Sequence, residues 1–185
     1  MKRQIREVDS SDLDLIIHYF LHADHNFLRS MGVEPKKLPA ADIWRKYLLE
    51  DLKRDYTNKH FYYLIWDMDE LPVGHSNINK IVFGQEAFMH LHVWNKENRM
   101  KGIGTYFVSK SISVYFEKFE LQNLYCEPYA LNPAPNKTLA RIGFELVKQY
   151  ETKPGLINFQ QPVNRWVLTR EIWRLINSSK SIVQK

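Results

Sequence analysis

One cysteine, Cys126, stands in 185 residues, which excludes an internal disulfide framework and a cysteine-built zinc site. Seven glycines and eight prolines are too few for a collagen-like or low-complexity chain. No apolar run approaches the roughly 20 residues that a membrane-spanning helix needs. The opening MKRQIREVDSSD turns acidic where a secretion signal would need its apolar stretch. Charge of one sign is also scarce, since 26 Lys and Arg against 21 Asp and Glu leave +5. Scattered along the chain, that surplus gives no footprint for a nucleic acid. What is abundant is aromatic: Phe, Trp and Tyr make up 14%, with five Trp, enough for a dense core or a cleft with stacking walls. The expectation is one domain over 1–170 and a tail over 171–185, in the cytoplasm, with no membrane partner.

Hydrophobic periodicity orders the elements. Gln4 to Val8 is an opening strand, and Asp9 has the chemistry to cap a helix that buries Leu13, Ile16, Ile17, Phe20 and Leu21. The stretch 22–39 is broken by Gly32, Pro35 and Pro39, and a second helix over about 40–56 aligns Trp44, Leu48 and Leu52. Strands over 60–68, 72–83 and 86–94 form an antiparallel meander. A helix over 102–119 and a strand over 121–127 follow. Asn132-Pro133 then opens a short helix that Gly143 closes. Strands over 144–151 and 159–170 complete a mixed α/β (α+β) order, and 171–185 begins as a short helix that frays.

The most informative segment is Asn95-Lys-Glu-Asn-Arg-Met-Lys-Gly-Ile-Gly-Thr105, between a strand and a helix. Two glycines let the backbone approach a ligand, and the following helix presents amide hydrogens with partial positive charge. Arg99 and Lys101 add cations. Together they suit a pyrophosphate. A Walker loop would end in Gly-Lys-Ser/Thr, and a dinucleotide fingerprint needs a third glycine where Phe107 stands.

Arg99-x-x-Gly102-x-Gly104 resembles the acetyl-CoA signature of the GNAT superfamily of N-acetyltransferases. The run from Asn132 to Gly143-Phe144 is similar to that family's second signature, with a spacing nearest the RimJ/RimL-like branch. The resemblance reaches from the first strand to about Arg170. It implies a mostly antiparallel central sheet of about seven strands with helices on both faces. It also implies acetyl-CoA (coenzyme A) as cosubstrate without a metal, and direct attack by a primary amine, on a small molecule or a peptide N-terminus, in a ternary complex. The strand before the loop is then expected to splay and offer His92, Val93 and Trp94 to the pantetheine arm. Arg99, Met100, Lys101, Gly102, Ile103, Gly104 and Thr105 would hold the pyrophosphate, with Asn132, Asn136 and Lys137 opposite.

Period-two alternation puts Phe88, His90, His92 and Trp94 on one face of that strand and Ala87, Met89, Leu91 and Val93 on the core face. His90 stands where some family members carry a catalytic Glu, so a base or water relay is expected there, while His92 is equally readable as structural. Glu127 either receives the ammonium proton or is a surface carboxylate at a strand end. Leu139 and Pro135 occupy the positions where members of the family place a Tyr or Ser acid, leaving Tyr129 or solvent to protonate the thiolate. That departure keeps a second function open, a non-catalytic acyl-CoA-binding or sensing module. Cys126 reads as a buried apolar residue rather than an acyl carrier. The segment 22–29 sits where the family shapes its acceptor pocket, so Asp24, His25 and Phe27, with Phe88, are the acceptor candidates. His18, His22 and His25 lack the Glu of a zincin motif, Tyr19 standing in its place, and no metal is expected. Edge strands at the C-terminal end allow a homodimer.

Overall fold

The computed structural model describes residues 2–95, 97 and 102–183, the last five of these by backbone alone. The chain runs β1 (Arg3–Glu7), α1 (Leu13–Leu21), α2 (His25–Ser30), α3 (Ala41–Leu52), β2 (Phe61–Met68), β3 (Leu71–Val82), β4 (Glu86–Val93), α4 (Ile103–Lys118), β5 (Asn123–Cys126), α5 (Pro133–Ile142), β6 (Glu145–Thr152), β7 (Gln161–Thr169) and α6 (Arg170–Val183). The strands form one sheet in the order β1-β2-β3-β4-β5-β7-β6, antiparallel throughout except between β4 and β5.

Each face of the sheet carries its own core, which explains why β2 reads as an almost unbroken apolar run. Its Tyr62, Leu64 and Trp66 join the α4 side with Phe107, Tyr115, Phe116 and Phe119. Its Tyr63 and Ile65 join Leu13, Ile16, Phe20 and Leu48 beneath α1 and α3. Two buried polar pairs tie this first layer together: Trp66 Nε1 donates to Ser111 Oγ at 3.0 Å, and the Ser76 and Tyr115 hydroxyls lie 2.6 Å apart.

Several boundaries differ from expectation for identifiable reasons. Asp9 does not cap α1, which starts at Leu13. The Asp12 carboxylate instead accepts the Asp9 amide at 2.9 Å and takes Arg6 bidentately at 2.6 and 2.8 Å. Arg6 also reaches Asp67 at 2.8 Å, so one guanidinium ties β1 to the α1 entry and to β2. The stretch expected to be irregular contains α2, capped by Asp24. α3 stops at Leu52 because Asp51 turns inward to accept the His60 and Phe61 amides, both at 2.9 Å, and draws the chain back into β2. α6 continues to Val183 rather than ending as a short helix, and its Ile172, Trp173 and Ile176 pack on the core. Among the described residues no helix is long and apolar enough to cross a membrane.

Candidate active site

The site begins where two strands part. β4 and β5 pair only through Glu86–Asn123, Ala87–Leu124 and Phe88–Tyr125. β5 has four residues and gives way to Pro128, whereas β4 continues to Val93, so a wedge opens between them. Strand parity decides which backbone groups face it. Trp94 donates its amide to Val73 O at 2.9 Å, and the register pairs His92 with His75 and His90 with Asn77. Even-numbered residues of β4 therefore bond to β3, and Met89, Leu91 and Val93 turn their amides and carbonyls toward the wedge. Of the three residues expected to contact a pantetheine arm, only Val93 has its backbone on that side. Leu91, which sequence reasoning missed, is its companion, while the backbones of His92 and Trp94 belong to the β3 ladder.

A cleft of about 1520 Å³ runs from the wedge toward α4 and α5 at one end and beneath α2 and α3 at the other. At the first end Gly102 takes φ 74° and leads into α4, with Gly104 and Thr105 on the cleft wall. A Cβ on Gly102 or Gly104 would meet nothing within 4 Å among the described residues, so the absent side chains leave room beside the amides of the first turn. That cradle fits a polyphosphate. Ile103 is buried in the core and anchors the helix instead of facing the cleft. Arg99, Met100 and Lys101 lie outside the described residues. Across the cleft, Asn132 caps α5 through the Ala134 amide at 3.3 Å, and Lys137 and Arg141 face the cavity one turn apart. Arg141 was missed, although its i+4 spacing from Lys137 signals a shared face. Asn136 does not face the cleft. Its amide donates to Asn132 O at 2.7 Å and Tyr129 O at 3.2 Å, and its Oδ1 accepts from Trp166 at 2.8 Å and Asn164 at 2.9 Å. It clamps α5 to β7.

Two residues past the last β4–β5 pair, His90 lines the cleft with Nε2 3.2 Å from Asn79 Oδ1. Burial, and then the Lys80 ammonium, push its pKa down to about 4 against the pull of Glu127. The imidazole is neutral at pH 7. Glu127 is no surface carboxylate: its side chain is 4% exposed, 2.5 Å from Arg165 Nε, and accepts the Tyr150 hydroxyl. Arg165 also donates to Tyr150 at 2.6 Å. These two partners, distant in sequence, gave no local signal. Tyr129 lines the cleft beyond the wedge, held by a bridge to Val163. Burial drives the Cys126 thiol well up, so it is an unionised thiol.

β3 contributes three polar side chains that were not anticipated. His75 is fully buried, and its Nδ1 accepts from Trp94 Nε1 at 2.8 Å, which fixes the proton on Nε2. Its ring stacks on His92 at 4.8 Å, and burial, reinforced by His92 and His90, holds its pKa well below the usual range. Asn77 and Asn79 line the cleft beside it. Asn inside a strand is the signal that could have found them.

At the end beneath α2 and α3, Phe27 is on the wall. Asp24 is not: its carboxylate accepts the Phe27 amide at 3.0 Å as the α2 cap. His25 is exposed on α2 away from the lining. Phe88 stacks on Tyr125 at 5.2 Å under the Lys80 ammonium, outside the cleft. The walls are instead Tyr19, Trp44, Tyr47, Phe61 and Tyr63, and the β6–β7 loop closes over them through a Val33–Asn158 bridge. Among the described residues no group of three or more His, Cys, Asp or Glu could hold a metal ion.

A family model for an acetyltransferase (GNAT) domain matches residues 3–145. No curated protein matches the chain. Among solved structures, spermidine N-acetyltransferase from Vibrio cholerae in complex with CoA and spermine superposes with a TM-score of 0.76 at 16% identity, covering 93% of this chain and 98% of that one. RimL, a ribosomal L7/L12 alpha-N-protein acetyltransferase in complex with CoA, gives 0.76 at 14%, covering 93% and 96%. The ribosomal-protein-S5-alanine acetyltransferase from Vibrio fischeri gives 0.73 at 21%, covering 94% and 96%.

Proposed function

The chain belongs to the GNAT acetyltransferase family, and from that premise we propose that it moves the acetyl group of acetyl-CoA to a primary amine, on a small molecule or a peptide N-terminus, by direct attack in a ternary complex. The observation that carries this reading is the β4–β5 wedge leading into the glycine cradle of α4. The α4 amides, with Lys137, Arg141 and the cap residue Asn132, hold the pyrophosphate end. Leu91 and Val93 hydrogen-bond the pantetheine arm from the β4 edge. Acetyl-CoA supplies an acyl group already activated as a thioester, with a leaving thiol of pKa roughly 8.5.

The protein's own groups then position the amine and move protons. With Asn79 Oδ1 accepting from Nε2, the lone pair of His90 is on Nδ1, free to take a proton from the acceptor nitrogen directly or through one water. Glu127, held in place by Arg165 and Tyr150, stabilises the resulting imidazolium electrostatically. The amine nitrogen forms the new C–N bond, the C–S bond breaks, and Tyr129 or solvent returns a proton to sulfur. Much of the acceleration is positioning.

We place the protein in the cytoplasm, in keeping with a reduced, buried Cys126. A homodimer along β6 is supported by its place at the sheet edge and by Leu146 and Val147, 53% and 54% exposed; light scattering should then give about twice 22.1 kDa. The test of function is thiol release from acetyl-CoA with an amine panel, alongside calorimetry with CoA. Absence of CoA binding would refute the reading, and tight CoA binding with every amine inert would make the protein a sensing module instead.

A further inference from the structure

The acceptor half of the cleft is built of aromatic rings and neutral hydrogen-bonding groups. Trp44, Tyr47 and Phe61 form one wall, and Tyr19 and Phe27 another. Tyr47 keeps 47% of its surface open, although it stacks edge-on with Phe61 at 5.8 Å. Among the described residues lining any part of the cavity, the single carboxylate is Glu127, which is committed to Arg165 and Tyr150. Positive charge is plentiful by comparison. Lys37, Lys59 and Lys80 line the cleft as well. Lys37 gives a hydrogen bond to Asn158 O at 2.8 Å, and Lys59 gives two, to Asp51 O and Leu52 O at 3.0 and 3.1 Å. An ammonium has three donors, so each keeps capacity for an anion.

The floor adds an independent observation. Asn77 stands directly across from His90 in the β3–β4 register, is 6% exposed, and lines the cleft. Among the described residues nothing hydrogen-bonds its side-chain amide, which is left open to the cleft as a donor and acceptor for a ligand. A neutral amine beside His90 can donate to Asn77 Oδ1, and that contact requires no charge on the nitrogen.

From the rings, the charge balance and the unpaired amide together, we infer that the acceptor is a primary monoamine on an aromatic body, without a second cationic centre and favoured by a carboxylate, and that Asn77 positions its amino group. The inference rests on the acetyltransferase reading above. A polyamine or an aminoglycoside would carry several positive charges into a space whose free charges are positive as well.

The test measures thiol release from acetyl-CoA with L-phenylalanine, phenethylamine, spermidine and kanamycin, together with calorimetry of CoA alone and of each amine into CoA-saturated protein. The two aromatic amines should exceed spermidine and kanamycin by at least about tenfold in kcat/KM. Trp44→Ala should raise KM for the aromatic amines about fivefold or more and leave CoA affinity unchanged. Asn77→Leu should lower kcat about tenfold while KM for acetyl-CoA holds and the melting temperature does not fall. Asn77→Ser, which keeps an acceptor oxygen, should recover part of that loss. Spermidine or kanamycin equal to or better than the aromatic amines would overturn the inference. So would CoA binding with both aromatic amines inert, which leaves the family reading standing; failure to bind CoA removes that reading too.

Discussion

Acidification should destabilise this protein through His90, and replacing that one side chain should remove a defined share of the loss. Burial, with the Lys80 charge beside it, holds the folded pKa at about 4, whereas an imidazole in the unfolded chain titrates near 6.5. The unfolded state therefore binds more protons between these values. Stability from the neutral ring is intact above pH 6.5 and is lost as pH falls toward 4. At pH 5.0 the unfolded chain is almost fully protonated at this position and the folded chain is not, which integrates to about 2 kcal/mol relative to pH 7.5. Below pH 4 the same linkage approaches its limit of ~3.4 kcal/mol. His75 acts in the same direction, being buried and held neutral. Urea unfolding of the wild type and His90→Asn at pH 7.5 and 5.0 isolates the His90 share, because every other titrating group cancels in the double difference. At a slope of about 2 kcal/mol per molar, the wild-type midpoint should fall by roughly 1 M more than the variant's. Equal losses in the two proteins, or a His90 ring titrating near 6.5 by NMR, would refute the reasoning.

Other perturbations test the remaining parts of the site. Lys80→Met keeps a stem over Phe88 but removes the charge that helps depress His90. The acid limb of kcat/KM should move to higher pH, and an unmoved limb would separate Lys80 from the chemistry. Gly74→Ala would set a Cβ 2.4 Å from His92 O and 2.9 Å from Trp66 Cε3, so β3 must shift against β4. A loss of about 1–3 kcal/mol is expected by denaturant unfolding, and an unchanged midpoint would contradict the close approach. Arg165→Met leaves Glu127 buried without its partner and should cost about 3–5 kcal/mol. The double variant with Glu127→Gln should recover much of this. A double variant no more stable than the single would show that the pair is not what holds Glu127.

Local signals were legible in the sequence. Asn132-Pro133 and Gly143 bound α5 because capping and positive φ are backbone chemistry that a few residues encode. The two-residue alternation of β4 placed His90 and His92 together on the cleft side. Which backbone groups of β4 face the wedge was not legible, since that depends on pairing with β3 and on where β5 stops. Asp24 looked like an amine-binding acid because α2 has six residues, too few for periodicity to reveal a helix that needs a cap. Whether Glu127 serves the reaction or lies on the surface stayed open in the sequence because Arg165 lies 38 residues away, on a strand that reaches it only through the β5–β7 ladder. Asn136 looked like a ligand contact for a similar reason, its acceptor being taken by two residues of β7.

The most direct test of the central claim is calorimetric titration of CoA into the wild type and Gly104→Trp. Among the described residues nothing lies within 4 Å of a Cβ added at position 104. The indole should therefore fill the cradle without disturbing the core. The account predicts one CoA per chain for the wild type, and no detectable binding by a variant that unfolds at the same temperature. Wild-type protein that fails to bind CoA, or a variant that binds it equally well, would contradict it.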